Sequence, residues 1–269
     1  MTAQRVRDAS IAAEASEAGP IAARPVVTMV IPTKNEAESI GALFDRTERA
    51  LSSFPAEIVI VDDSDDETPR LVAERQARST TPIQIVHRSA DERTGGLGGA
   101  VLAGMRCAGA PWVCVMDADL QHPPEVISLL LERAQRDDVD LVIASRNTVG
   151  QQSDGLSRWR QLVSDGCTSA ARLLFRQSLR DVRDPMSGFF LVRLAALDLD
   201  VMQPRGFKVL LEILVRHPDM RTAEVPFEFT ERSAGTSKAS AQEGFNYLVL
   251  VTRLWLRQGP VRFLRLGAG

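Results

Sequence analysis

The chain has 269 residues, 44% of them hydrophobic and 25% charged, with a net charge of −3. That balance belongs to a globular protein with a substantial core, and it argues against nucleic-acid binding through an overall positive field. Three cysteines (Cys107, Cys114, Cys167) without CxxC spacing and three scattered histidines (His87, His122, His217) argue against a disulfide framework or a zinc site, and they suit a reducing, cytoplasmic setting.

Residues 1–24 mix alanine with charges of both signs and read as a disordered leader. From Val26 strand and helix signals alternate. "VVTMVIP" is a β-branched run stopped by Pro32. In the following helix Ile40, Leu43, Phe44, Thr47 and Leu51 fall at helical spacing, with Asn35 expected as N-cap and Glu38 completing a capping-box-like pair. "EIVIVDD", "IQIVHR", "WVCVMDAD" and "DLVIASR" are four further strands, each separated from the next by a helix. The helix after "WVCVMDAD" opens on Pro123 and Pro124, where a missing N–H costs little.

Near-continuous apolar strands alternating with helices predict an α/β fold: a mostly parallel central sheet of Rossmann-like type with helices on both faces. Ligands of such sheets gather at the carboxyl ends of the strands. Polar groups close four of the strands there: Pro32-Thr33-Lys34-Asn35-Glu36, Asp62-Asp63, Asp117-Ala118-Asp119 and Ser145-Arg146. After residue 150 "DPMSGFFLVRLAAL" reads as a loop into a strand, "GFKVLLEILVRH" as a helix and "TAEVPFEFTER" as an edge strand with a proline.

Asp117 and Asp119 are two residues apart at a strand end, which places both carboxylates on one face. Close carboxylates repel unless a cation or proton lies between them, and hard oxygen donors suit Mg²⁺ or Mn²⁺ beside a diphosphate. An acidic strand end feeding a capped helix is the plain alternative. Asp62-Asp63 suits a ribose or a base N–H, or forms a turn in "DDSDDET". "GGLGGAVLAG" is no dinucleotide loop, because Val101 stands at the third glycine position. It reads as a tight turn opening a helix whose N–H groups face an anion.

Arg160 and Ser164 lie four apart on one helix face, and Arg232 and Lys238 lie on a glycine-containing loop. Both clusters are solvated surface or, beside a diphosphate, charge-neutralising groups and a closing lid. The segment 241–269 joins aromatics and leucines to four arginines. It reads either as an amphipathic cationic helix for an anionic membrane surface or as a core helix with a basic tail.

With "VIPTKNE", "IVIVDDSDDET", "GLGGAVLAG", "VMDADLQHPPE", "DPMSGFF", "RGFKVLLEIL" and "ERSAGTSK" in one order, the chain resembles the family 2 glycosyltransferases of the polyprenol-phosphate (dolichol-phosphate) mannose synthase type. The resemblance spans roughly residues 26 to 240, and it implies a GT-A catalytic domain over 25–240. It also implies inverting transfer of mannose from GDP-mannose to a polyprenyl phosphate at the cytoplasmic face of a membrane. By the same resemblance Asp117, Asp119 and Gln121 would hold Mg²⁺ or Mn²⁺. Pro32, Lys34, Glu36, Asp63 and Asp117 would line the nucleotide sugar, with Lys208, Arg232 and Lys238 beside it. Arg146, Arg160 and Ser164 would grip the acceptor phosphate, and Asp119, Arg146 and Arg160 would carry catalysis. Lys34 stands where the family often has Tyr, and "DDSDDET" lacks the Gly common in that loop.

A UDP-sugar donor to the same lipid, a sugar nucleotidyltransferase and a non-catalytic binding module are the rival readings. "VIPTKNEAES" lacks the Gly-rich basic signature that a nucleotidyltransferase shows after its first strand.

Overall fold

The computed structural model describes residues 24–146, 169, 171–203, 206, 208–228 and 241–258, with the side chains of 241–246 and 257–258 excepted. Seven strands form one sheet: β1 (Val27–Thr33), β2 (Ala56–Asp62), β3 (Ile83–His87), β4 (Trp112–Val115), β5 (Leu141–Arg146), β6 (Phe190–Arg193) and β7 (Thr222–Phe227). Their order is β3-β2-β1-β4-β6-β5-β7. All neighbours run parallel except β6, which is antiparallel to both β4 and β5. The expected edge strand with its proline is β7, at the sheet margin as anticipated.

The two-residue period of the strands sorts their side chains into two cores. Met29, Ile31, Ile58, Ile60 and Cys114 point to one face. They meet α1 (Ile40–Leu51), α2 (Thr68–Gln76) and α4 (Ile127–Arg136) through Leu43, Phe44, Val72, Ile127 and Leu130. Val30, Val59, Val61, Val113 and Val115 point to the other. That face is covered by α3 (Gly96–Cys107), α5 (Arg176–Leu179), α6 (Val209–Arg216) and α7 (Ala241–Gln258). Burial on both faces is why these strands read as unbroken apolar runs. α3 lies close against the sheet: a Cβ on Gly104 would come within 2.4 Å of Val30 Cγ1.

Two helix starts differ in detail from expectation. α1 starts at Ile40, and its N-cap position is Ser39 rather than Asn35. Asn35 adopts φ 56, a left-handed conformation that its short amide tolerates, and its Oδ1 accepts the N–H of Asp65 at 2.9 Å. Ser39 does not cap by its side chain either, because its hydroxyl donates to Glu36 Oε2 at 3.0 Å. In α3 three of the early N–H groups are taken up within the chain. Those of Gly96, Gly98 and Gly99 donate to Arg93, Gly206 and Gly95 carbonyls. The tight turn itself is present, with Gly95 and Gly96 at φ 82 and 61.

The part of 241–269 that the structure describes is docked on the fold. Tyr247, Leu250, Val251 and Leu254, at i, i+3, i+4 and i+7, are buried in the core on the α6 side. Leu248, Trp255 and Leu256 remain exposed on the other side of α7. Among the described residues no helix is long and apolar enough to cross a membrane.

Candidate active site

Because β6 is antiparallel, its amino end shares a rim with the carboxyl ends of β2, β1, β4 and β5. From Asp63 to Arg146 that rim spans four strand spacings, about 19 Å. The β1 and β2 ends are stitched together. Asn35 N–H donates to Ser64 Oγ at 2.8 Å, Glu36 N–H to Thr68 Oγ1 at 3.0 Å, and Asp63 N–H to the Thr33 carbonyl at 2.9 Å. Pro32 is buried in β1, while Lys34 is exposed and Glu36 half-buried at the rim.

The two adjacent aspartates divide by strand parity. Asp62 is fully buried and accepts from Thr33 Oγ1 (2.7 Å) and Ser64 Oγ (2.6 Å), with His87 Nδ1 at 2.7 Å. It is a scaffold group. Asp63 points the opposite way and takes both prongs of Arg88, Nε at 2.7 Å and Nη2 at 2.6 Å. Arg88 also donates through Nη2 to the Gly96 carbonyl at 3.0 Å, tying the β3 end to the start of α3. Sequence reasoning did not single out Arg88. The available signal was its place immediately after β3, in line with the other rim residues.

β4 ends at Val115, so Asp117 and Asp119 lie beyond the strand and strand alternation does not set their directions. A loop does. Leu120 turns it at φ 62, the Gln121 N–H donates to Asp119 Oδ1 at 3.1 Å, and the Asp117 N–H donates to His122 Nδ1 at 3.3 Å. A buried leucine in the left-handed region is strained, and such strain persists only where the surroundings over-determine it. Gly188, from the segment leading into β6, packs directly on this loop: a Cβ there would lie 2.7 Å from Asp117 Oδ2.

The donor set fits a hard divalent cation. Asp117, Asp119 and Gln121 offer two carboxylates and an amide oxygen from one five-residue stretch at the rim, leaving other coordination positions for phosphate oxygens and water. Among the described residues no group of three or more His, Cys, Asp and Glu is placed to hold a metal. Any cation here would therefore depend on Gln121 and on its substrate.

On the far side of β6, Arg146 ends β5 and makes a two-pronged pair with Asp184, Nε at 2.7 Å and Nη2 at 2.9 Å. Burial pushes the Asp184 carboxyl up, but bonding to Arg146 and the charges of Arg146 and Lys208 hold it below the usual carboxylate range. The bond to Asp184 raises Arg146 against the opposing effect of burial, with the charges of Asp184 and Asp117 adding to the rise. Lys208 donates to the Met186 carbonyl at 3.2 Å. Arg146, Lys208 and Asp117 thus form one electrostatic neighbourhood around Asp184. Arg160, Ser164, Arg232 and Lys238 lie outside the described residues. A cavity of about 690 Å³ lined by Val26, Ala110 and Trp112 sits at the opposite, amino end of β1 and β4, away from these groups.

The sheet order and this rim are those of an α/β fold with its ligand site at the carboxyl ends of the strands. Residues 28–198 match the model of glycosyl transferase family 2, and the chain belongs to that family. It is 37% identical over 236 residues to a dolichol-phosphate mannosyltransferase of Pyrococcus furiosus, covering 87% of this chain and 65% of that protein. It is 33% identical to the dolichol-phosphate mannosyltransferase of Saccharomyces cerevisiae, over 85% of this chain and 86% of the relative. For an undecaprenyl-phosphate mannosyltransferase of Micrococcus luteus the identity is 30%, over 84% and 93%. The chain thus spans about two thirds of the length of the archaeal relative and most of the other two. Among solved structures, glucosyl-3-phosphoglycerate synthase from Mycobacterium tuberculosis, crystallised with Mn²⁺, UDP-glucose and phosphoglyceric acid, superimposes with a TM-score of 0.65 at 18% identity, covering 87% of this chain and 80% of that one. Mannosyl-3-phosphoglycerate synthase from Rubrobacter xylanophilus gives 0.64 at 18% identity, over 88% and 75%.

Proposed function

We propose that the chain transfers mannose from GDP-mannose to a polyprenyl monophosphate, with inversion at the sugar carbon. The observation that carries this reading is the rim itself, where an acidic loop (Asp117, Asp119, Gln121) and a forked cation (Arg146) flank β6. The names of the mannosyltransferase relatives supply the sugar and the lipid.

The nucleophile in this reading is a phosphate oxygen, whose second pKa of about 6 leaves it largely anionic at neutral pH. No strong general base is needed. The work of the protein is to hold two anionic substrates together and to favour departure of the diphosphate. Asp117, Asp119 and Gln121 would hold Mg²⁺ or Mn²⁺, which when bound would neutralise charge developing on that leaving group. Lys34, Glu36 and Asp63 line the nucleotide end, and Pro32 shapes it from within β1. Lys208 would flank the donor, and Arg232 and Lys238, outside the described residues, are assigned to the same charge-neutralising role. Arg146, with Arg160 and Ser164, offsets the repulsion of the incoming phosphate. The exposed Leu248, Trp255 and Leu256 of α7, beside Arg253, would rest on the cytoplasmic membrane surface that presents the lipid.

The test is a transfer assay with labelled GDP-mannose or UDP-glucose, polyprenyl phosphate, and Mg²⁺, Mn²⁺ or EDTA. Label should reach the lipid from GDP-mannose only when metal is present, in the anomeric configuration opposite to the donor's. Turnover with UDP-glucose alone would overturn the mannose reading, and failure to label the lipid from either donor would overturn the acceptor.

A further inference from the structure

The aim of the Asp117 carboxylate depends on groups outside the acidic motif. His122 is only 4% exposed, and its ring is clamped by two phenylalanines. Phe189 lies 5.4 Å away between centroids at 37°, and Phe227 lies 5.7 Å away at 65°. Those two rings pack edge-on against each other at 5.9 Å and 78°. An imidazole gripped in this way has little freedom to rotate, so the position of its nitrogens is set by β7 and by the segment leading into β6.

Nδ1 of that fixed ring accepts the Asp117 N–H at 3.3 Å, which leaves the ring proton on Nε2. The same Nδ1 lies 3.6 Å from Asp117 Oδ2, too far for a hydrogen bond but close enough to close one side of the carboxylate. Gly188 closes another, because its missing Cβ is what gives Oδ2 room. Gly188 and Phe189 are consecutive, so one short segment supplies both the wall against Asp117 and the clamp on His122. A histidine that merely filled the core would have no reason to hold the peptide of a rim aspartate while a glycine faced that aspartate's oxygen.

We propose that His122 and Gly188 are positioning residues for Asp117, orienting its carboxylate towards a divalent cation. This rests on the reading that Asp117 is a ligand of that cation. Partners that orient metal ligands are commonly worth about 10- to 100-fold in metal affinity.

The experiment measures Mn²⁺ binding to the full chain with GDP present, by loss of the free-Mn²⁺ electron paramagnetic resonance signal. His122→Leu fills the aromatic box without an acceptor, His122→Asn restores an acceptor near the Nδ1 position, and Gly188→Ala crowds Oδ2 directly. Expected are a rise in Kd of roughly 10-fold or more for His122→Leu and Gly188→Ala, and a value within about 3-fold of wild type for His122→Asn. Asp117→Asn separates the two layers of inference. If it loses Mn²⁺ while His122→Leu and Gly188→Ala bind normally, the positioning role is overturned and the ligand reading stands. If it binds like wild type, the ligand reading falls and takes the positioning role with it. Should His122→Leu fail to fold, Gly188→Ala decides alone, and an unchanged Kd there overturns the proposal.

Discussion

Arg146 and Asp184 are joined by both prongs of the guanidinium, Nε and Nη2, and by a longer 3.4 Å bond from the Arg146 backbone N–H to the same carboxylate. The side chain of Asp184 is 12% exposed and that of Arg146 is 44% exposed, so a largely covered acid holds a cation that still reaches solvent. The pair leaves Nη1 available for a second anion. A fork shared in this way is a geometric device that a flexible ammonium does not reproduce.

Arg146→Lys should therefore keep the charge and lose the function of the fork. The expected outcome is a KM for polyprenyl phosphate raised about 10-fold, equivalent to about 1.4 kcal/mol, with the KM for the nucleotide sugar unchanged. Steady-state kinetics with each substrate varied in turn will check it.

The same pair has a pH signature. The Asp184 carboxyl sits below its ordinary value in the folded state, so its contribution to stability is complete above the unfolded value of about 3.9 and is lost as pH falls through the folded value. Asp184→Asn cannot lose what it lacks. Denaturation midpoints should differ most between the two proteins near neutrality and converge as pH drops below about 4.

Asp119→Asn should abolish sugar transfer while leaving the fold intact. The amide oxygen can still accept the Gln121 N–H now taken by Asp119 Oδ1, so the loop keeps its turn. The loss should be on the order of 3 kcal/mol or more of transition-state stabilisation, a rate lower by about 100-fold or more. Transfer at the wild-type rate would remove Asp119 from the catalytic set.

Arg88→Met leaves Asp63 without its ion partner, in a pair whose side chains are 8% and 9% exposed. Breaking a buried pair from one side costs about 3–5 kcal/mol. Urea denaturation should show that loss, and Asp63→Leu added to Arg88→Met should recover much of it.

Replacing Leu248, Trp255 and Leu256 together by serine should reduce flotation with anionic vesicles without lowering the melting temperature, because all three are exposed. Leu250→Ala, on the buried side of the same helix, should do the reverse and cost about 2–5 kcal/mol.

Much of this was legible in the residues. The apolar runs of β1, β2, β4 and β5 and the polar and charged groups that close them follow from local pattern, and they locate the rim before any partner strand is known. Strand order is not local. Nothing in "FLVR" says that it runs antiparallel between β4 and β5, since that depends on which edges remain open once the other strands pair. Parity separates Asp62 from Asp63, but only a sheet with assigned faces says which one is interred. Arg88 looks like any charged residue after a strand until Asp63 is found opposite it. In sequence Asn35 reads as a helix cap because the same amide that caps helices also stabilises left-handed turns, and here the contact with Asp65 decides between them.

The four-pair ladder of β4 with β6, from Trp112 opposite Arg193 to Val115 opposite Phe190, keeps the two halves of the rim in phase. Side chains alternate along a strand, so deleting a single residue from β6 would turn those on one side of the gap to the wrong layer. With the strand pairing held, a deletion would carry Ser187, and an insertion Phe189, to the place where a Cβ would crowd Asp117. The segment therefore acts like a reading frame. Conservative replacements within it should be absorbed, whereas a one-codon insertion or deletion should silence the protein as completely as loss of the acidic loop itself.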